Sequence, residues 1–169
     1  MNKTQLIEAK VSDVIGPLPS GGRGLVVLSA GGKSFPVAGS YLETAMCHAL
    51  LNGEEVPAYF FSVSVIKSAG KQLSEVVIFG IEEELGCRLI MGGKPPTKLP
   101  TDMVVSGINM ALCGNVPIMV EKSVLERTRD SSSPYAVLKN AVPTLWPLSQ
   151  LSQTSCLEAL SNYLDAAGV

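Results

Sequence analysis

An α+β domain, with a mixed and largely antiparallel sheet packed against helices, is what this sequence predicts, and three observations predict it. Short strand-like runs separated by glycine-rich turns fill the N-terminal quarter: Gln5 to Asp13, Leu25 to Leu28 and Ser34 to Val37. Two helix starts flank the middle of the chain, a Ser40-x-x-Glu43 capping box and Leu99-Pro100-Thr101-Asp102 ahead of an apolar-periodic stretch. Between them, Val76 to Phe79 and Cys87 to Met91 read as two strands joined across Glu82-Glu83-Glu84, a connection that suits an antiparallel pair with a solvated acidic turn.

Each element has its own signal. Gly31-Gly32 supplies the positive φ of a tight hairpin between the second and third strands. Gly32-Lys33-Ser34 looks like the tail of a phosphate loop, but Val27 stands where its first glycine belongs and a strand follows it, so it is read as a hairpin. Behind the capping box, Leu42, Ala45, Met46, Ala49 and Leu50 recur at helical spacing until Asn52-Gly53. From Ala58 to Ala69 alternation favours a strand, whereas length and the Gly70 stop favour a helix. Gly92 to Lys98 is a loop. The next helix is expected to begin near residue 101 with Thr101 as its N-cap and Asp102 in its first turn, and to exit through Gly114-Asn115. Val116 to Val120 then forms a strand, and Ser123 to Arg127 a short helical turn. Beyond Asp130 the texture becomes Ser131-Ser132-Ser133-Pro134, with Pro143 and Pro147 around Trp146. A last helix is expected from the Ser155-x-x-Glu158 box to Gly168, with Leu157, Leu160 and Leu164 on one side. The expected division is a domain over 1–128 and an irregular segment plus C-terminal helix over 129–169.

Composition narrows the function classes. At 169 residues the chain suits one domain, and with 46% hydrophobic and only 17% charged residues part of its surface is expected to cover a subunit interface, as in a homodimer. No run approaches the roughly 18 apolar residues of a membrane span, and the first residues carry no signal-peptide pattern, so a cytoplasmic protein is expected. Cys47, Cys87, Cys113 and Cys156 are scattered, with His48 as the sole histidine, which argues for free thiols and against a structural zinc. A net charge of −2 gives no global attraction for nucleic acid, so such binding needs a local basic patch. Lys94, Lys98, Lys122, Arg127 and Arg129 form the candidate, interleaved with Glu121, Glu126 and Asp130 into a mixed face.

The candidate site residues come from the two helix starts. On the helix after Pro100, Val104, Val105, Ile108, Ala111 and Leu112 share a core face. Asp102, Ser106, Asn109 and Cys113 make a polar stripe, which is either the solvated side or a ligand face. Glu43 is explained by the capping box alone, or else is a carboxylate for water activation or metal binding. If the two starts converge, Glu43 and Asp102 form a carboxylate pair of the kind that binds a divalent cation, with Thr101, Ser106 and Asn109 as binding residues. His48 lies about 140° round its helix from Glu43 and is expected at the surface or an interface.

In this order and spacing, Leu25 to Glu126 resembles the bifunctional nuclease domain family. Phe35-Pro36-Val37 leading to Glu43 matches a family strand that leads to a helix with a characteristic glutamate. Leu99-Pro100-Thr101-Asp102, closed by Pro117-Ile118-Met119-Val120, matches a second family segment. The family's arginine before the proline is Leu99 here, and its Thr-His-Asp cluster has no counterpart from Pro57 to Phe61. The resemblance implies a helix over Tyr59 to Ala69 and a nuclease acting through Glu43 and Asp102 with Mg²⁺ or Mn²⁺. The missing polar clusters set a second expectation beside it, a non-catalytic oligomer that binds a partner protein or small ligand.

Overall fold

The computed structural model describes residues 5–15, 23–82 and 84–127. Seven strands form one half-barrel sheet in the order β3-β2-β1-β7-β4-β5-β6. They are β1 (Leu6–Ile15), β2 (Arg23–Ala30), β3 (Lys33–Ser40), β4 (Leu73–Ile81), β5 (Glu84–Met91), β6 (Thr97–Leu99) and β7 (Ile118–Glu121). Only the β4–β7 pairing is parallel among the described pairs, so the expected mixed, largely antiparallel α+β architecture is what forms. The β2–β3 hairpin turns on Gly31 and Gly32, both at positive φ (57° and 77°), the conformation that a two-residue turn demands and that side chains resist.

Helices α1 (Tyr41–Leu51), α2 (Pro57–Ser68) and α3 (Val104–Gly114) lie together, with α1 and α2 both packed on α3, and α4 (Lys122–Arg127) closes against β4 and β7. α3 carries its expected core face: Val104, Val105, Ile108 and Ala111 are buried against Val26, Leu28, Val76, Ile78 and Cys87 of the sheet, with Leu112 packed beside them. Residues 57–68 are helical, as the resemblance implies and alternation does not. Pro57 sits in the first turn, where its missing N–H costs nothing, and Tyr59 points inward.

Two local expectations are corrected. Thr101 is not an N-cap: Met103 N–H bonds back to Pro100 O at 3.0 Å, so Thr101–Met103 is a 3₁₀ turn and α3 starts at Val104 without a side-chain cap. The loop over Gly92 to Lys98 also ends earlier than read, because Thr97–Leu99 pairs with β5 as the edge strand β6. The linker and terminal helix expected beyond residue 128 lie outside the described residues. Among the described residues no helix is long and apolar enough to cross a membrane.

Candidate functional site

β3 runs straight into α1, and the junction is fixed by the capping box. Ser40 Oγ accepts the Glu43 N–H at 3.2 Å, while Glu43 Oε2 accepts the Ser40 N–H at 2.9 Å and the Ser40 hydroxyl at 2.8 Å. Glu43 also does what a cap alone does not require. Its Oε1 accepts a 2.6 Å hydrogen bond from Ser106 Oγ on α3, and Ser106 Oγ lies 3.1 Å from the hydroxyl of Tyr59 on α2. One turn on, Asn109 Nδ2 donates to the Glu43 carbonyl at 2.9 Å. Ser106 and Asn109 of the polar stripe therefore face α1, while Asp102 stays exposed. Ser106 is half-buried and Asn109 fully buried against α1, its Oδ1 without a partner among the described residues.

These contacts set the charge on Glu43. Burial pushes its carboxyl up, but the hydrogen bonds from Ser106 and Ser40 together outweigh that and hold it below the usual 4.5. Both carboxylate oxygens are engaged, so Glu43 ties three helices together as an anion.

In front of this node is a cleft of about 480 Å³, a size that fits a small ligand. β3 contributes Val37 to Ser40, the start of β2 contributes Arg23, the start of β5 contributes Glu84 and Leu85, and Thr101, Asp102 and Val104 close it. Gly39 makes this approach possible, since a Cβ there would stand 2.7 Å from Val105 Cγ2. The two helix starts thus meet at one cleft, with Asp102 and Thr101 lining it directly and Glu43 one hydrogen bond behind its wall through Ser40. Thr101, Asp102, Arg23 and Ser40 are all exposed, and none of the described ion pairs involves Arg23, Glu84 or Asp102.

Arg23, Ser40 and Glu84 are cleft residues outside the candidate set, since Ser40 reads only as a cap and Glu84 only as part of an acidic turn. For Arg23 a signal existed. A two-residue turn at Gly31-Gly32 pairs Ala30 with Lys33, and counting outward in step brings Arg23 opposite Ser40, the register observed. Tyr59 carried no such signal.

The remaining candidates are occupied elsewhere. Arg88 bonds Glu121 at 2.9 Å and lies over Phe79, 5.1 Å from its centroid, with Lys98 over the same ring at 5.5 Å. Of the cations in the expected mixed face, Lys122 faces Glu126 at 3.7 Å and Arg127 Nη1 donates to the Glu82 carbonyl, whereas Arg129 and Asp130 lie outside the described residues. His48 is half-buried, with Nδ1 3.2 Å from Asn52 Nδ2. Burial pushes the Cys47 and Cys87 thiols up to about 12, which keeps them protonated and unreactive, while Cys113 is raised by burial and by the charge of Glu55. Cys156 lies outside the described residues. No protein-family profile matches this sequence, and no curated protein matches it.

Proposed function

We propose that the cleft receives the phosphate of a phosphodiester and that the protein is a metal-assisted nuclease or a closely related phosphodiester hydrolase. The observation that carries this reading is the meeting of the two helix starts at one cleft that also holds a guanidinium: Ser40 on one side, Thr101 and Asp102 on the other, Arg23 beside them. Arg23 is the group suited to grip a phosphate, in the role left open where the family's motif arginine is Leu99. The hydroxyls of Ser40 and Thr101 are suited to orient its oxygens. Glu43 is a positioning residue in this account, because its carboxylate is spent on Ser40 and Ser106.

Any divalent ion in the cleft would be held loosely. Among the described residues there is no cluster of three or more acidic, His or Cys ligands, but Asp102 and Glu84 supply two carboxylates. That number suffices for Mg²⁺ or Mn²⁺ when substrate phosphate oxygens complete the shell. When bound, the ion supplies charge neutralisation and a more acidic water. With one guanidinium against two carboxylates, the cleft repels a phosphodiester until such a cation is present.

The test is cleavage of single- and double-stranded DNA and RNA by the full chain with Mg²⁺ or Mn²⁺ and with chelator. Metal-dependent cleavage that falls about 100-fold or more in Asp102→Ala is expected. Activity no greater than that of the Asp102→Ala protein overturns the reading. The second reading, a non-catalytic oligomer binding a partner protein or small ligand, is favoured by the engagement of the Glu43 carboxylate in the helix contacts, and it gains if phosphate compounds bind the cleft without turnover.

A further inference from the structure

α2 turns an unsuitable face to solvent. Phe60 and Phe61 are 59% and 69% exposed and Val65 49%, while the inward side of the same helix is taken by Tyr59 with half-buried Val63 and Ile66. Helical spacing sets Phe61, Val65 and Ser68 in one row with Phe60 and Ser64 beside it. The result is a stripe of two rings and a branched side chain flanked by small hydroxyls, with no charged residue from Val56 to Ile66. A helix that is apolar on both sides is a buried helix, and a patch of this kind marks an interaction surface.

We propose that this face is a dimer interface, in which α2 packs antiparallel against α2 of a second copy of the chain across a twofold axis. An isologous contact needs a surface complementary to itself, and this one is. Its centre is uncharged, and its ends carry opposite charge: Glu54 and Glu55 just before the helix, Lys67 in its last turn, all exposed. Antiparallel pairing sets Lys67 of each copy beside Glu54 and Glu55 of the other. A nucleic acid would find only that one lysine here.

The apolar stripe supplies more than half of the area a dimer needs. On the usual area of an aromatic side chain, the two rings and Val65 expose about 300 Å² per copy, so pairing removes about 600 Å² of the roughly 1,000 Å² a specific interface requires. The remainder has to come from the serines and the helix ends, where Ser64 and Ser68 are small enough for the helix axes to approach closely. No residue of α2 lines the cleft, so this surface stands or falls independently of the proposed activity.

Sedimentation and light scattering of the full chain over a range of concentrations test the proposal. Expected are twice the 17.8 kDa chain mass for the wild type and a monomer for Phe60→Asp with Phe61→Asp, with unchanged circular dichroism. Lys67→Glu is expected to weaken the dimer about tenfold, and adding Glu54→Lys and Glu55→Lys to restore it. If the double aspartate variant fails to fold, the exposed Lys67 reversal and its rescue decide. A wild-type monomer, which would assign the face to another part of the chain or to a different protein, overturns the proposal. So does a dimer indifferent to these changes.

Discussion

Glu43 and Ser106, 63 residues apart in sequence, are joined by a 2.6 Å hydrogen bond that ties the first turn of α1 to the first half of α3. It is a charge-assisted bond, with Tyr59 holding the other side of the same hydroxyl. Ser106→Ala removes the donor from a half-buried carboxylate and the partner from the tyrosine. Bonds of this type contribute about 1.5–3 kcal/mol, and partial exposure of Glu43 trims that, so a loss of about 1–2 kcal/mol is expected. Urea unfolding with an unchanged m-value measures it. A midpoint equal to wild type would mean that the three helices hold without this node.

The same contacts predict an acid-sensitive fold. The Glu43 carboxyl is held below 4.5 in the folded protein, so its stabilisation is complete above that value and is lost as pH falls through the lower folded pKa. Glu43→Gln is expected to be less stable than wild type near neutral pH, and the difference should shrink on acidification until it is smallest below the folded pKa. Urea midpoints across a pH series give the comparison. Two curves that stay parallel from neutral to acid pH would contradict the account.

Much of this fold could be read from residues with a single physical meaning. The Gly31-Gly32 turn, the Ser40–Glu43 box and the core face from Val104 to Ala111 each formed as read, because turn geometry, capping and helical period are local. At α2 the local signal misled: Phe61, Val63 and Val65 alternate with serines as in a strand, while packing of Tyr59 against α3 selects the helix. Likewise Thr101 and Asp102 look like a cap, yet Pro100 feeds a 3₁₀ turn that leaves them exposed. In the candidate site, Asp102 and Glu43 were legible as acids at helix starts. Their relation to one cleft was not, since it depends on the curvature that brings β3 near α3 and on a register that has to be counted out to reach Arg23. The burial of Asn109 was equally hidden, as its spacing is that of any solvated face.

Gly107 offers a separate check on how closely α3 packs. It is buried in mid-helix, and a Cβ there would run into Cys87 Sγ and come within 3.3 Å of Leu99 Cδ1. Alanine adds about 1 kcal/mol of helix propensity, but overpacking against a short side chain held in a strand costs about 1–3 kcal/mol, so Gly107→Ala is expected to destabilise by about 1 kcal/mol. Removing the sulfur should uncover the propensity gain. The double variant Gly107→Ala, Cys87→Ala is therefore expected to be at least about 1 kcal/mol more stable than the sum of the single effects. Strict additivity would place the two residues out of contact.

Arg23 separates binding from folding. It is exposed at the end of β2, paired through the backbone with Ser40, and its side chain forms none of the described ion pairs, so Arg23→Ala should leave the melting temperature unchanged. Under the proposed function it should nevertheless weaken binding of a short single-stranded oligonucleotide about tenfold or more, the loss of one charge-assisted contact. Arg23→Lys should recover only part of that, because an ammonium cannot present two parallel donors to a phosphate. The salt dependence should also flatten by about one ion per substrate, since one fewer counterion is released on binding. Titrations at several salt concentrations, in Mg²⁺, read all three. Equal affinity and equal slope for wild type and Arg23→Ala would remove the cleft as the phosphate site even if the protein cleaved nucleic acid.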